Sequence, residues 1–139
     1  MASALEDKDT IREVLAEYCF RLDGGDYDGM AALFTEDGTW DTAFGKGTGR
    51  AAIAGLARDI RVKAGDNRPR AIHLVTNIAI ALVDGPGDDR AEVRSNWTTV
   101  QNSPDGPKIG SGGGYLDQLI KQDNAWRFRY RKIDRFIAG

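Results

Sequence analysis

The sequence contains one histidine, His73, and one cysteine, Cys19, in 139 residues. A lone cysteine cannot form a disulfide within the chain. A reducing setting, and so a cytoplasmic protein, is the expectation. One histidine and one cysteine far apart in sequence also argue against a zinc site. No apolar run approaches the ~18 residues that a membrane-spanning helix needs. The stretch Met1 to Asp9 is acidic and lacks the basic-then-apolar order of an export signal. Positive charge is not in excess either. The net charge is −2 and the pI about 5.4, so neither nucleic acid nor a membrane surface is an expected partner. The late arginines, Arg127, Arg129, Arg131 and Arg135, fall at strand spacing and read as one solvated face.

With 41% hydrophobic and 29% charged residues, the chain reads as folded, and its length suits a single domain over 1–139. The first half is helical in pattern. Ile11, Val14, Leu15, Tyr18, Cys19 and Leu22 form one apolar stripe. Thr10 with Glu13 reads as a capping box, and Ser3 with Glu6 offers an earlier start. Gly24 and Gly25 end this helix. Asp26 caps a second one, Tyr27 to Phe34. Thr35 to Gly38 reads as a turn and Thr39 to Phe44 as a strand. Gly45, Gly47 and Gly49 then make a flexible connection. A third helix covers Arg50 to Val62, with Ile53, Leu56, Ala57 and Ile60 on one face. A polar loop, Ala64 to Arg70, follows.

The second half is β. Ala71 to Val83 is a long strand rich in Ile, Val and Leu. Alternation puts His73, Val75, Asn77, Ala79 and Ala81 on one face, whose small side chains leave room for a ligand beside the histidine. After a turn at Asp84 to Asp89 come strands Ala91 to Gln101, Gly112 to Lys121 and Ala125 to Ile137. The loop Asn102 to Gly110 and the turn Gln122 to Asn124 connect them. Helices followed by a meander of strands give an α+β class. A curved mixed or antiparallel sheet wrapped around the N-terminal helices would form a cone-shaped α+β barrel with an internal apolar pocket.

His73 is the natural catalytic candidate, because histidine alone titrates near working pH without help. Asp23 closes the first helical pattern, where a carboxylate is disfavoured by the helix dipole. That placement calls for another purpose, and orienting an imidazole is one. The bland alternative is a buried polar pair that only holds the fold together.

The stretch "IREVLAEYCFRLDGGDYDGMAALFTEDGTW", the "GR-AAIAGL" helix, the "IHLVTN" strand and the closing "WRFRYRKI" resemble the SnoaL-like branch of the nuclear-transport-factor-two-like superfamily. The resemblance covers nearly the whole chain. This superfamily includes scytalone dehydratase, bile acid dehydratase and lindane dehydrochlorinase, which share an Asp after the first helix and a His early in the strand after the third. Asp23 and His73 hold those positions. Tyr18 matches a Tyr of the bile acid enzyme, where the dehydrochlorinase has a Lys, so halide elimination is less favoured. Arg131 matches an Arg of the last strand. Scytalone dehydratase has a second catalytic His on the next strand. This chain has none, and Asn96 lies near the corresponding place.

The resemblance therefore implies a cofactor-independent lyase, with water as the leaving group and a hydrophobic, cyclic carbonyl compound as substrate. His73 would be the base and Asp23 its orienting partner. Tyr18 would donate to the substrate, and Arg131 would stabilise developing charge. Asn96, Trp40, Phe34, Trp97 and Tyr115 would line the substrate pocket, with core packing as the alternative for each aromatic. An isomerase or cyclase of polyketide or steroid-like rings would use the same base. A small-molecule binding protein of the same fold would need none. No motif calls for a metal or an organic cofactor. The superfamily also implies a homodimer or homotrimer.

Overall fold

Ser3 starts the first helix by reciprocal capping. Its hydroxyl accepts from the Glu6 N–H, and the Glu6 carboxylate accepts from the Ser3 N–H. In the computed structural model, which describes residues 2–83 and 89–138, helix α1 spans Ala4–Asp23. The capping box expected at Thr10 and Glu13 is not used, and the earlier start at Ser3 is. Thr10 lies inside α1 and donates its hydroxyl proton to the Glu6 carbonyl. Ile11, Leu15, Tyr18 and Cys19 form the buried face. Asp26 caps α2, Tyr27–Ala31, by accepting from the Gly29 N–H at 2.9 Å. This helix is shorter than expected because Phe34 already belongs to a strand. Helix α3 runs Arg50–Ala64.

The strands are β1 Phe34–Thr42, β2 Gly45–Thr48, β3 Ala71–Leu82, β4 Arg90–Gln101, β5 Lys108–Gln122 and β6 Ala125–Ala138. They form one sheet in the order β2-β1-β6-β5-β4-β3. Strands β1 and β6 run parallel and the other neighbours antiparallel. The mixed sheet is curved and unclosed, so β2 and β3 remain its edges. No described helix is long and apolar enough to cross a membrane.

Three expectations about local structure are corrected. Thr35 to Gly38 is not a turn but part of β1, whose pairing with β6 breaks register between Phe34 and Thr39. The glycines after it are not a loose connection, since Gly45–Thr48 is β2, paired with β1. A Cβ at Gly47 would lie 3.1 Å from the Ala52 carbonyl oxygen, so glycine there lets β2 rest against α3. Strand β5 begins at Lys108, well before Gly112. The turn expected at Asp84 to Asp89 lies, except for Asp89, outside the described residues.

Two bulges decide which side chains point inward. In β3 the pairing jumps from Thr76–Asn96 to Ala79–Arg94, and Asn77 takes a left-handed backbone with φ 53°. His73 and Val75 therefore face inward before the bulge, and Ile78, Ile80 and Leu82 after it. Asn77, Ala79 and Ala81 are exposed, so they do not share the histidine's face. In β6 the pairing jumps from Phe128–Leu119 to Tyr130–Gln118, leaving Arg129 as the extra residue. Trp126 and Phe128 point inward before it, and Arg131 and Ile133 after it. The late arginines thus do not form one solvated face. Arg129 is exposed, and Arg131 is fully buried.

The core lies between α1 and the inner face of the sheet, around Ile11, Leu15, Phe34, Leu119 and Phe128. The start of α1 is fastened to the sheet by Asp7. Its carboxylate accepts from Trp126 Nε1 at 3.0 Å and Lys121 Nζ at 3.1 Å. The end of α1 is fastened by Asp23.

Candidate active site

Asp23 is the last residue of α1, and both its carboxylate oxygens are used on one partner. Oδ2 accepts the His73 backbone N–H at 2.8 Å, and Oδ1 lies 2.6 Å from His73 Nδ1. The two side chains are 17% and 15% exposed, so the pair sits at the boundary of the interior rather than deep in it. Two hydrogen bonds offset the unfavourable helix-end position. A carboxylate is acceptor-only, so Nδ1 carries the proton of this bond, and in the neutral ring Nε2 is then the bare nitrogen. Nε2 has no hydrogen-bond partner among the described residues.

His73 lines a cavity of about 680 Å³ enclosed by α1, α3 and the inner face of the sheet. Its aromatic floor comprises Tyr18, Trp40, Trp97 and Tyr115. The Trp97 ring is 6.0 Å from the His73 ring and 6.1 Å from Tyr115. Trp97 is held by its Nε1–H, which donates to the Asp134 carbonyl at 3.1 Å. Trp40 Nε1–H donates to Tyr18 Oη at 2.9 Å, so the phenol still has its own proton to give. Burial raises the Tyr18 phenol far above its usual value, with the Arg131 charge opposing, and the group stays neutral. Burial likewise pushes the Cys19 thiol up to about 11, which removes it as a nucleophile.

Residues 3–132 match the family model described as the SnoaL-like domain. The chain belongs to this family. Its structure is similar to that of a variant of Rv3472, a Mycobacterium tuberculosis protein of unknown function. The identity there is 34%, the TM-score 0.77, and the coverage 91% of this chain and 70% of that one. A nuclear-transport-factor-2-like protein with a cystatin-like fold from Novosphingobium aromaticivorans is 26% identical, with TM-score 0.77 and 93% and 81% covered. A candidate scytalone dehydratase from the same organism is 25% identical, with TM-score 0.75 and 96% and 86% covered. No curated protein matches the sequence.

Within this SnoaL-like domain, Asp23, His73, Tyr18, Trp40, Trp97 and Tyr115 come together around one cavity. Three other expected positions lie elsewhere. Phe34 packs in the core, 5.1 Å from Phe128, and does not line the cavity. Asn96 is exposed on the outer face of the sheet. It accepts from Asn77 Nδ2 and donates to the Gly113 carbonyl, because alternation in β4 points Trp97 inward and Asn96 outward.

Arg131 is buried beneath the cavity floor. Its guanidinium carbon lies 3.5 Å from the centre of the Tyr115 ring and 4.1 Å from that of Tyr18. Its Nε is 3.2 Å from Asp117 Oδ1, with both side chains fully buried. The rings of Tyr18 and Tyr115 line the cavity and Arg131 does not, so the residue expected to stabilise developing charge lies behind the lining side chains. Burial raises the Asp117 carboxyl to about 6 against the pull of Arg131. Sequence reasoning passed over Asp117. The signal was there: Asp117 alternates with Tyr115 and Leu119 on the inward face of β5, and a carboxylate in an apolar alternation needs a buried partner.

The rim of the cavity is basic. Arg61, Arg68, Arg70 and Arg135 all line it. Among the described residues no three His, Cys, Asp or Glu side chains converge as a metal ligand set would.

Proposed function

We propose that this domain is a cofactor-independent lyase that removes water from a cyclic carbonyl compound. The observation that carries the reading is the Asp23–His73 pair on the wall of an aromatic cavity. His73 Nε2 takes the proton next to the carbonyl, and the C–H electrons form the new double bond as hydroxide departs from the neighbouring carbon. The protonated imidazole then returns that proton to the leaving hydroxide, completing water. Asp23 holds the ring in the required tautomer and stabilises the imidazolium. Tyr18, kept neutral and oriented by Trp40, donates to the carbonyl oxygen as its charge develops. Arg131 is a positioning residue for the Tyr18 and Tyr115 rings. An isomerase or cyclase would share the first step and differ in where the proton goes. The fold's exposed outer-face side chains Leu74, Leu116 and Phe136 suit a self-associated protein.

One observation favours a binding protein instead. Asp23 also holds the His73 main chain, so the pair serves to dock α1 on β3 whatever its chemistry. The experiment is turnover of hydrophobic β-hydroxy ketones and cyclic enones, followed by ultraviolet absorbance, with wild type beside His73→Ala and His73→Gln. General-base catalysis contributes at least roughly 10²-fold, so folded variants should lose that much. Unchanged turnover in a folded variant would sink the lyase reading. Binding without turnover in all three proteins would leave the pair as scaffold.

A further inference from the structure

The cavity's rim has a chemistry that its floor does not explain. Four arginines line the cavity, against one carboxylate, Asp23, which is already engaged by His73. This is a local excess in a chain whose net charge is −2. Arg61 is partly spoken for, since its Nη1 donates to the Gly65 carbonyl at 2.7 Å and closes the end of α3. The side chains of Arg68 and Arg70 have no hydrogen-bond or ion-pair partner among the described residues. Asp66, in the same loop, does not line the cavity.

Both arginines line the same cavity, one on each side of Pro69. Arg68 precedes Pro69, which restricts it to an extended conformation. In extended chain, residues two apart project to the same side. The Arg70 carbonyl is pinned by the Asn102 N–H at 3.0 Å, where β3 begins its pairing with β4. Across the mouth, Arg135 follows Ile133 on the inward side of β6, with its guanidinium 5.8 Å from the exposed Phe44 ring. Guanidinium forks match planar anions, and a concave basic rim concentrates them.

We propose that the natural ligand is amphipathic, a ring body on the aromatic floor bearing an anionic group, of carboxylate type, that Arg68, Arg70 and Arg135 hold at the rim. This deepens the lyase reading and rests on the cavity being its substrate site. It predicts binding selectivity that does not depend on His73.

The test is isothermal titration calorimetry with matched probes: naphthalene-2-carboxylate against naphthalene-2-carboxamide, and the corresponding anthracene and phenanthrene pairs. Exposed charge pairs are each worth up to about fivefold, so wild type should prefer the acid by roughly tenfold at low salt. The preference should shrink as salt rises, because the rim is open to solvent. In Arg68→Gln/Arg70→Gln the acid should lose most of that factor while the amide stays within about twofold, which also reports an intact cavity. Equal affinity for acid and amide in wild type overturns the proposal. So does a preference that survives in the double variant and in a triple variant adding Arg135→Gln, an equal loss of both probes, or binding of no pair. The lyase reading fails separately, through turnover that ignores His73.

Discussion

Replacing Asp23 with Asn keeps the side chain's size but leaves one oxygen where the protein uses two. In the native arrangement those oxygens meet the His73 N–H at 2.8 Å and His73 Nδ1 at 2.6 Å. An asparagine can keep its oxygen on the backbone N–H, but its amide nitrogen then faces Nδ1 and must donate to it. The ring proton moves to Nε2, and the cavity loses its base. The reverse orientation sets the amide NH₂ against the backbone N–H, donor against donor, and is disfavoured. Exchanging a charge-assisted bond for a neutral one costs about 1–2 kcal/mol. In a domain of this size that lowers Tm by roughly 3–8 °C, leaving the protein folded. Loss of the correct tautomer in a comparable triad costs about 10⁴-fold in turnover, and a loss of roughly 10³-fold or more is expected here. The assay needs no substrate. The chain has one histidine, so ¹⁵N-histidine labelling yields a single pair of ring nitrogens whose shifts report the tautomer. Wild type should carry its proton on Nδ1 when the ring is neutral, and Asp23→Asn on Nε2. A wild-type ring protonated on Nε2, or an unchanged tautomer in the variant, would refute the reasoning.

Asp117 predicts a pH dependence. Burial raises its folded carboxyl to about 6 with Arg131 opposing, so the folded chain keeps a proton that the unfolded chain releases near pH 4. Stability should fall as pH rises from about 4 to about 6, by a contribution on the order of 2–3 kcal/mol, and Asp117→Asn should remove that slope from urea titrations. A slope that persists in the variant would contradict the assignment. Asp7 acts in the opposite sense. Burial raises its carboxyl, but the Trp126 and Lys121 hydrogen bonds outweigh this and lower it overall, so its contribution is lost as pH falls into the acid range. Gly113→Ala would place a Cβ 1.9 Å from the Asp134 carbonyl oxygen and should cost about 2–3 kcal/mol or more. Gly55→Ala, with nothing within 4 Å inside α3, should instead stabilise by about 0.5–1 kcal/mol, and paired thermal melts compare the two.

Asp23 and His73 were legible because each breaks a local rule: a carboxylate at the wrong end of a helix, and a lone imidazole in an aliphatic strand. The helices and the long strands were legible from their apolar periods. What stayed hidden depends on neighbours in space. The extra residues Asn77 and Arg129 look like ordinary strand positions, and only the register with β4 and β5 shows that they reverse the inward face. That reversal is why Arg131 is buried and why Asn77 lies outside. Strand β2 was concealed by glycines whose strand propensity is low, and which are required by the closeness of α3. Asn96 and Trp97 are adjacent in sequence, so placing one in the cavity excludes the other.

The unclosed sheet has one more consequence. Strand β3 is an edge, and its free N–H groups are a template on which another strand could assemble. The His73 N–H is one of these, and Asp23 occupies it. The carboxylate that orients the ring therefore also stands where an intruding strand would have to bond, presenting it with negative charge. Asp23→Ala, which removes the acceptor that Asp23→Asn keeps, reopens that edge as well as freeing the imidazole, so loss of chemistry and a tendency to self-associate through β3 would arise together from a single side chain.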